Sequence, residues 1–331
     1  MDQRIGRLQK SITGTALIEN PVDLLYLTGL SLSRGRLWVG EETYLAVDGR
    51  YLAAAQKALS IPVKPLEEKR SVPKKVLFDS ALTSYDAVLG LKKEFPDVEW
   101  VPQSRLLKHL RAVKDPKETE ALRRAARLTL SGIEHVKHLL TEGVTEKELA
   151  FQFEFFCRKQ GASGLSFDPI IAFGEKSAYP HYRAGSRKLE QNQVVLIDVG
   201  AIFDGYRGDL TRAVFFGTPD PKLFHFQELV QAAFRAAFRA ARPGVEAKAL
   251  DVAAKNVFEA AGVEKLFIHS LGHGVGLETH EYPALRLDSK DLLEEGMIFT
   301  IEPGLYQPGL GGIRFEEMVL LTANGAKILH A

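Results

Sequence analysis

Two aspartates at the ends of short apolar segments are the first residues in this chain that could do chemistry. Asp198 ends the apolar run 194–197, and Asp209 opens a second apolar segment, 210–216. Short apolar runs bounded by turn residues are typical of buried strands. A carboxylate at the inner end of a buried strand is costly unless a positive group lies beside it. One such aspartate alone would be interpreted as a turn cap, whereas a recurrence of the arrangement would indicate a site.

The same arrangement recurs about a hundred residues later. The apolar run 296–301 ends in Glu302, and a connection rich in proline and glycine follows. Glu316 then lies early in a segment that we predict to be one strand over residues 313–321. An internal repeat of this kind predicts a domain with pseudo-twofold symmetry, in which the four carboxylates converge at the axis.

His273 lies between the two halves, and the glycines on both sides of it let the backbone come close to a site. Four carboxylates and one imidazole form a set of hard oxygen ligands with one borderline nitrogen. Two divalent cations would balance the formal charge of −4 on the four carboxylates. The set suits a pair of Mn, Co or Zn ions better than a single structural Zn, which would require cysteine ligands.

These residues stand in motifs that resemble those of the pita-bread metallopeptidases, which include methionine aminopeptidase, aminopeptidase P and prolidase. The motifs are DVGAIFDGYRGDLTR, GHGVGLETHE, IEPGLY and GIRFEE. The resemblance implies that Asp198 chelates one metal and that Asp209 and Glu316 bridge both. His273 and Glu302 then complete the two sides. It also implies two divalent metal ions, Mn by family habit with Co or Zn possible, and attack on the scissile carbonyl by a hydroxide that bridges them.

Histidines elsewhere in the chain acquire catalytic and binding roles from the same resemblance. His181 follows a proline upstream of the first aspartate, where the family carries a catalytic histidine. His280 stands seven residues after His273, where the family's histidine contacts the substrate near the scissile bond. His269 matches a histidine that lines the pocket for proline.

Two further roles concern the second half of the repeat. Glu302 is the expected general base as well as a metal ligand. Arg314 precedes Glu316 by two residues, so we expect both side chains on one strand face. We expect Arg314 to orient the carboxylates and to belong to the substrate-binding residues.

The segments around these motifs predict an α/β protein of two domains. Residues 1–113 alternate short strands and helices and resemble the creatinase-like N-terminal domain of aminopeptidase P and prolidase. Residues 114–331 are the expected catalytic domain, of α+β type with the pita-bread fold. The strands predicted in the first domain are 15–19, 37–39, 44–47, 76–78 and 98–101. The predicted helices are 20–27, 51–59, 85–95, 104–112, 116–140, 146–161, 226–241 and 247–261.

The implied substrate is a peptide with proline at its second position, since the resemblance is closer to aminopeptidase P and prolidase than to methionine aminopeptidase. Several prolidases carry an arginine directly after the proline downstream of the His280 motif, and this chain has Ala284 there, with Arg286 two residues further on. We therefore favour aminopeptidase P, with prolidase as the alternative because compact prolidases share this size. A binding protein that keeps the fold without the chemistry is a third, remote alternative.

Composition sets the remaining expectations. The net charge of +1 provides no field that would attract nucleic acid or a membrane surface. No apolar run approaches the length of a membrane span, and the N-terminus lacks the apolar core of a signal peptide. The single cysteine, Cys157, is expected to fill the core. We expect a cytoplasmic protein that forms a homodimer, the latter by resemblance alone.

Overall fold

The first part of the chain folds as one mixed sheet with helices packed on it, in a computed structural model that describes residues 2–68 and 72–331. The chain divides into two units, residues 1–111 and 112–331. The strands of the first unit have the order β4-β3-β2-β1-β5-β6. They are β1 Thr15–Ile18, β2 Gly35–Val39, β3 Tyr44–Val47, β4 Val63–Pro65, β5 Lys75–Asp79 and β6 Glu99–Gln103. The helices are α1 Asp2–Ser11, α2 Pro21–Thr28, α3 Gly49–Ala58, α4 Tyr85–Glu94 and α5 Lys108–Ala112.

Five strands and three helices of this unit match the predictions, whereas α1 and β4 were not predicted. The helix predicted over 104–112 is wrong in its first half. The carboxylate of Asp79 accepts hydrogen bonds from the backbone N–H groups of Arg105 and Leu106. Arg105 has a φ of 52°, which is outside the helical region. A partner distant in sequence therefore delays the helix to Lys108.

The second unit begins with two helices that have complete capping boxes. Asp115 caps α6, Pro116–His138, and Thr145 caps α7, Glu146–Lys159. In each case the glutamate three residues later accepts a hydrogen bond from the backbone N–H of the cap residue. Two later helices are α8, Pro221–Ala240, and α9, Lys248–Ala260. None of the helices in the described part of the chain is both long and apolar enough to cross a bilayer.

Thirteen strands of this unit form several small sheets. Those of the first half are β7 Gly164–Leu165, β8 Ile170–Phe173, β9 Gln193–Val199, β10 Ala201–Phe203, β11 Tyr206–Arg207 and β12 Leu210–Phe216. Those of the second half are β13 Gly272–Gly274, β14 Glu281–Leu285, β15 Ile298–Ile301, β16 Gly304–Gln307, β17 Gly311–Arg314, β18 Glu317–Thr322 and β19 Gly325–Ile328. Short 3₁₀ turns lie at Gly174–Ala178 and Glu264–Leu266.

The predicted repeat is present in the strand pairing. In the first half β9 pairs with β12 and β10 with β11, and in the second half β15 pairs with β18 and β16 with β17, all antiparallel. In each half, the two strand pairs belong to different sheets, and the carboxylates lie near the points where the chain passes from one sheet to the other. The single strand predicted over 313–321 is wrong, because β17 ends before Phe315 and β18 starts after Glu316. The N–H of Phe315 donates to the carbonyl of Pro303, and the N–H of Glu316 donates to the carbonyl of Thr211.

The main core of the second unit lies between α8, α9 and the second-half strands. Phe226, Phe258 and Phe299 are among its fully buried side chains. Cys157 is buried on α7, and burial raises the pKa of its thiol to about 12. Because so little of this thiol is ionised at neutral pH, Cys157 is a packing residue rather than a nucleophile.

Candidate metal centre

Three side chains of ligand type converge where the two halves of the repeat meet. One ligand atom from each of Asp209, His273 and Glu316 lies within 4.8 Å of the other two. Asp209 directly precedes β12, His273 is the middle residue of β13, and Glu316 lies between β17 and β18. Asp209 and Glu316 are only 3% and 2% exposed, so bulk water cannot solvate their charges.

Backbone contacts fix the ring of His273. Its Nδ1 lies 3.1 Å from the carbonyl oxygen of Gly274, and because a carbonyl only accepts, Nδ1 is the donor. Nε2 therefore faces the carboxylates, at 3.3 Å from Oε1 of Glu302 and 3.7 Å from Oδ2 of Asp209. This orientation leaves Nε2 as the nitrogen that can bind a metal.

The glycines on either side of His273 lie too close to other strands for any side chain. A Cβ atom on Gly272 would be 2.1 Å from the carbonyl oxygen of Thr300, and one on Gly274 would be 2.1 Å from that of Tyr282. Both neighbours are backbone atoms, which cannot rotate away. The glycines therefore let β13 approach its two partner strands and place the imidazole.

We expect Gly274→Ala to destabilise the protein by about 1–3 kcal/mol, the usual penalty for overpacking. The substitution should also reduce metal binding, because β13 must shift to accommodate the methyl group. Thermal unfolding followed by circular dichroism and metal analysis of the purified protein measure the two effects. Gly164→Ala is the control, since its Cβ would meet only Cδ1 of Ile202 at 3.7 Å. Equal effects of both substitutions would contradict the steric argument.

Arg314 is buried and holds three polar groups. Its guanidinium donates to Oδ2 of Asp198, to the hydroxyl of Thr211 at 3.1 Å and to the hydroxyl of Tyr306 at 2.6 Å. The other oxygen of Asp198, Oδ1, is buried and has no hydrogen-bond partner in the described part of the chain. The orienting and substrate-binding roles of Arg314 stay predictions, and these contacts favour the first.

Thr211 on β12 joins the two halves of the repeat. Its fully buried hydroxyl donates to Oε2 of Glu316 at 2.7 Å and accepts from Nε of Arg314. Its carbonyl accepts from the N–H of Glu316 at 3.2 Å. Thr211 thus fixes the carboxylate of Glu316 on the side of the first half.

Burial and mutual repulsion shift the pKa values of the cluster. Burial raises the pKa of Glu316 well above its ordinary value, and the charge of Asp209 adds to the shift. Burial also raises the pKa of Asp209 well above normal, although the charge of His273 opposes it. Burial acts to raise the pKa of Glu302, but the hydrogen bond and charge of His273 outweigh it and lower that pKa to about 2. Burial acts to lower the pKa of His273, and the contacts with Glu302 and Asp209 outweigh it and raise that pKa to about 9.

The donor atoms of this cluster fit divalent cations. Several buried carboxylates repel one another unless positive charge lies between them, and Asp198 has a buried oxygen without a partner in the described residues. Carboxylate oxygens with one imidazole are ligands that Mn, Co and Zn accept. The residues present therefore have the chemistry of a metal centre.

A cavity of about 520 Å³ opens onto the cluster. The structure brings all the predicted site residues to its walls: His181, Asp198, Asp209, His269, His273, His280, Glu302, Arg314 and Glu316. The ring of His280 lies 4.3 Å from that of His273, centre to centre. His181 is exposed and lies in the segment between the 3₁₀ turn at Gly174–Ala178 and β9.

Tyr306 is a site residue that the sequence analysis missed. Arg314 donates to its hydroxyl, so the hydroxyl proton goes to Nε2 of His269 at 2.8 Å. Nδ1 of His269 then donates to the carbonyl of Ser270 at 2.8 Å. Burial lowers the pKa of His269, which favours this neutral form. The tyrosine of the IEPGLY motif and the threonine of DLT were the only sequence signals for Tyr306 and Thr211.

Comparisons with known proteins find related sequences over both units of the chain. The Creatinase/Prolidase N-terminal domain matches residues 4–113, and Metallopeptidase family M24 matches residues 120–323. The Xaa-Pro dipeptidase of Pyrococcus furiosus is 36% identical over 99% of this chain and 98% of that protein.

Solved structures are similar over almost the whole chain. A structure of the Xaa-Pro dipeptidase from Bacillus anthracis has a TM-score of 0.94 at 30% identity, covering 99% of this chain and 97% of that one. A structure of the X-Pro aminopeptidase from Thermotoga maritima has a TM-score of 0.90 at 31% identity, covering 98% and 97%. With its creatinase-type N-terminal domain and pita-bread catalytic domain, this chain belongs to metallopeptidase family M24.

Proposed function

We propose that this metallo-exopeptidase hydrolyses the Xaa-Pro bond of dipeptides, as a prolidase. The observation that carries the proposal is the cluster of carboxylates and a histidine on the wall of a cavity that is also lined by arginine side chains. The full-length relatives named as Xaa-Pro dipeptidases support this alternative better than the aminopeptidase P activity that the sequence alone favoured.

Membership of the family implies divalent metal ions, and we propose two, held by Asp198, Asp209, His273, Glu302 and Glu316, with Mn as the favoured metal. When bound, such ions acidify a water molecule and polarise the scissile carbonyl. Glu302 is a carboxylate at neutral pH, and its proposed role as the acceptor of a proton from the attacking water rests on the family resemblance. His280 and His181 line the cavity where they can donate hydrogen bonds to the substrate carbonyl.

A dipeptide carries its free carboxylate on the proline itself, so a prolidase needs a cation near that position. Arg183 and Arg286 both line the cavity. Arg286 lies two residues after Ala284 and pairs at 2.9 Å with Asp288 on an exposed segment, where solvent screens the pair. Either guanidinium can thus bind a substrate carboxylate in place of its present contacts.

Aminopeptidase P activity is the second candidate. Ala284 stands where several prolidases have arginine, and the Thermotoga maritima structure named as an X-Pro aminopeptidase is as similar as several of the dipeptidases. A homodimer is also proposed from family resemblance, and sedimentation velocity would test it.

One assay separates the candidates. The protein is stripped with a chelator, reloaded with Mn and given Xaa-Pro and Xaa-Pro-Yaa peptides side by side, with metal content measured. Preferred cleavage of the dipeptide supports the prolidase, and release of Xaa mainly from the tripeptide supports aminopeptidase P. Absence of metal-dependent cleavage of either peptide would overturn both.

We expect the double variant R183A/R286A to raise KM for an Xaa-Pro dipeptide roughly tenfold, the size of one charge-assisted hydrogen bond. The same dipeptide with an amidated C-terminus lacks the carboxylate, so its KM should be the same for the double variant and for wild type. Steady-state kinetics with both substrates measure the difference, and the two single variants show which arginine is responsible. Equal effects on the free and the amidated dipeptide would contradict a carboxylate contact.

A further inference from the structure

Arg207 on β11 connects two walls of the cavity without lining the cavity itself. Its Nε donates to the carbonyl of Leu277 at 3.0 Å, and its Nη1 donates to the carbonyl of Ser166. Its backbone N–H donates to the carbonyl of Gly276 at 2.9 Å. One residue of the first half therefore holds two segments that lie about 110 residues apart in the sequence.

Both of these segments continue directly into the cavity wall. Phe167 and Asp168 follow Ser166, and Thr279 and His280 follow the segment at Leu277. The hydroxyl of Thr279 also donates to the carbonyl of Ser166, at 3.1 Å, so the two segments touch each other beside the guanidinium.

The segment that carries His280 is held at both ends by contacts from outside it: the N–H of Val275 donates to the carbonyl of Ile298 at 3.3 Å, and Nζ of Lys114 donates to Oε2 of Glu281 at 3.4 Å. The N–H of Gly276 donates to the carbonyl of Glu278, and the N–H of Glu278 donates to Glu281, which are contacts within the same segment. Arg207 supplies contacts from outside the segment, to Gly276 and Leu277. Ser166, by contrast, is fixed to the first half by hydrogen bonds with Gly200 and Gly208.

The chemistry of the contact is that of a guanidinium. Two different nitrogens of one planar group reach two carbonyl oxygens at the same time, which a single ammonium on a lysine cannot do with the same geometry. The carbonyls are neutral, so the role of Arg207 in these contacts is geometric rather than the neutralisation of a carboxylate.

We infer that Arg207 is a positioning residue, which acts on the reaction by holding the segment that carries His280 against the wall segment at Ser166. The inference rests on the proposed peptide hydrolysis for its kinetic part. Displacement of a catalytic group by about 1 Å can reduce a rate up to roughly 100-fold. We therefore expect R207M to lower kcat at least tenfold for the preferred Xaa-Pro peptide.

A double-mutant cycle with H280A tests whether Arg207 acts through His280. If it does, R207M should change kcat less than twofold when His280 is already absent. Independent, multiplying effects of the two substitutions would overturn the inference. R207K should also be impaired, and wild-type kinetics from R207K would overturn the guanidinium argument. R158M is the control, because Arg158 is an exposed arginine that also donates to a carbonyl, that of Ser163.

Hydrogen exchange of the metal-loaded protein gives a readout that does not depend on the substrate. R207K should exchange faster than wild type in residues 164–168 and 275–281, with unchanged exchange in β15 and β18. Unchanged exchange in both segments would overturn the inference. If wild type cleaves no Xaa-Pro peptide, the proposed function fails, and the exchange experiment still decides whether Arg207 holds the two walls.

Discussion

Replacing Glu302 by glutamine is expected to reduce kcat by roughly 10²–10⁴-fold, the range for removal of a general base. The amide keeps the size of the side chain and one oxygen that can contact a metal. It cannot accept a proton from water, and it removes the negative charge that lies 3.3 Å from Nε2 of His273. Steady-state kinetics on the preferred Xaa-Pro peptide, with Mn in excess, measure the loss.

Metal content decides how the loss is interpreted. Glu302 is proposed both as a ligand and as the base, so the variant must be assayed at the same metal occupancy as wild type. Glu295→Gln is the control, since Glu295 is exposed and lies just before β15, whereas Glu302 lies just after it. Near-normal turnover in a metal-replete E302Q protein would defeat the assignment of the base.

Replacing Arg314 by methionine is expected to destabilise the metal-free protein by about 3–5 kcal/mol, the usual effect of removing one partner of a buried ion pair. Asp198 would lose its cation while it stays buried at 8% exposure. Thr211 and Tyr306 would each lose a donor. Urea unfolding of the chelated protein measures the effect.

The choice of probe matters for this measurement. Both tryptophans of the chain, Trp38 and Trp100, lie in the N-terminal unit, so their fluorescence does not report on the catalytic unit. Far-UV circular dichroism reports on both units. Arg314→Lys keeps the charge without the contact to all three partners, so its free energy of unfolding should lie between those of R314M and wild type. A metal-free R314M protein as stable as wild type would show that Asp198 does not depend on this guanidinium.

Local sequence signals were sufficient to predict most of the elements and the side chains that the structure brings together at the cavity. Capping boxes at Asp115 and Thr145 specify helix starts within a few residues, and tertiary contacts do not override them. The repeated pattern of apolar run and carboxylate needs no knowledge of the rest of the chain. The convergence of its two halves follows from the symmetry of the repeat.

Residues that act through distant partners were not predictable in the same way. Thr211 is a neutral hydroxyl in a strand, and only its contacts with Glu316 and Arg314, more than a hundred residues later, give it a role. The same reason explains the wrong helix start, where Asp79 holds the N–H of Arg105, 26 residues away. The preference for aminopeptidase P rested on Ala284, a single position, and the whole-length similarity to dipeptidases supports the other choice better.

The contact between Thr211 and Glu316 has a consequence for the order of events during synthesis and folding. The two residues are 105 positions apart, so a ribosome finishes the first half of the centre well before it has made the second. Until Glu316 emerges, the proposed set of metal ligands lacks its last member. Contacts this distant in sequence form late and slowly. Metal uptake is therefore expected after translation, as one of the last steps of folding rather than as its starting point.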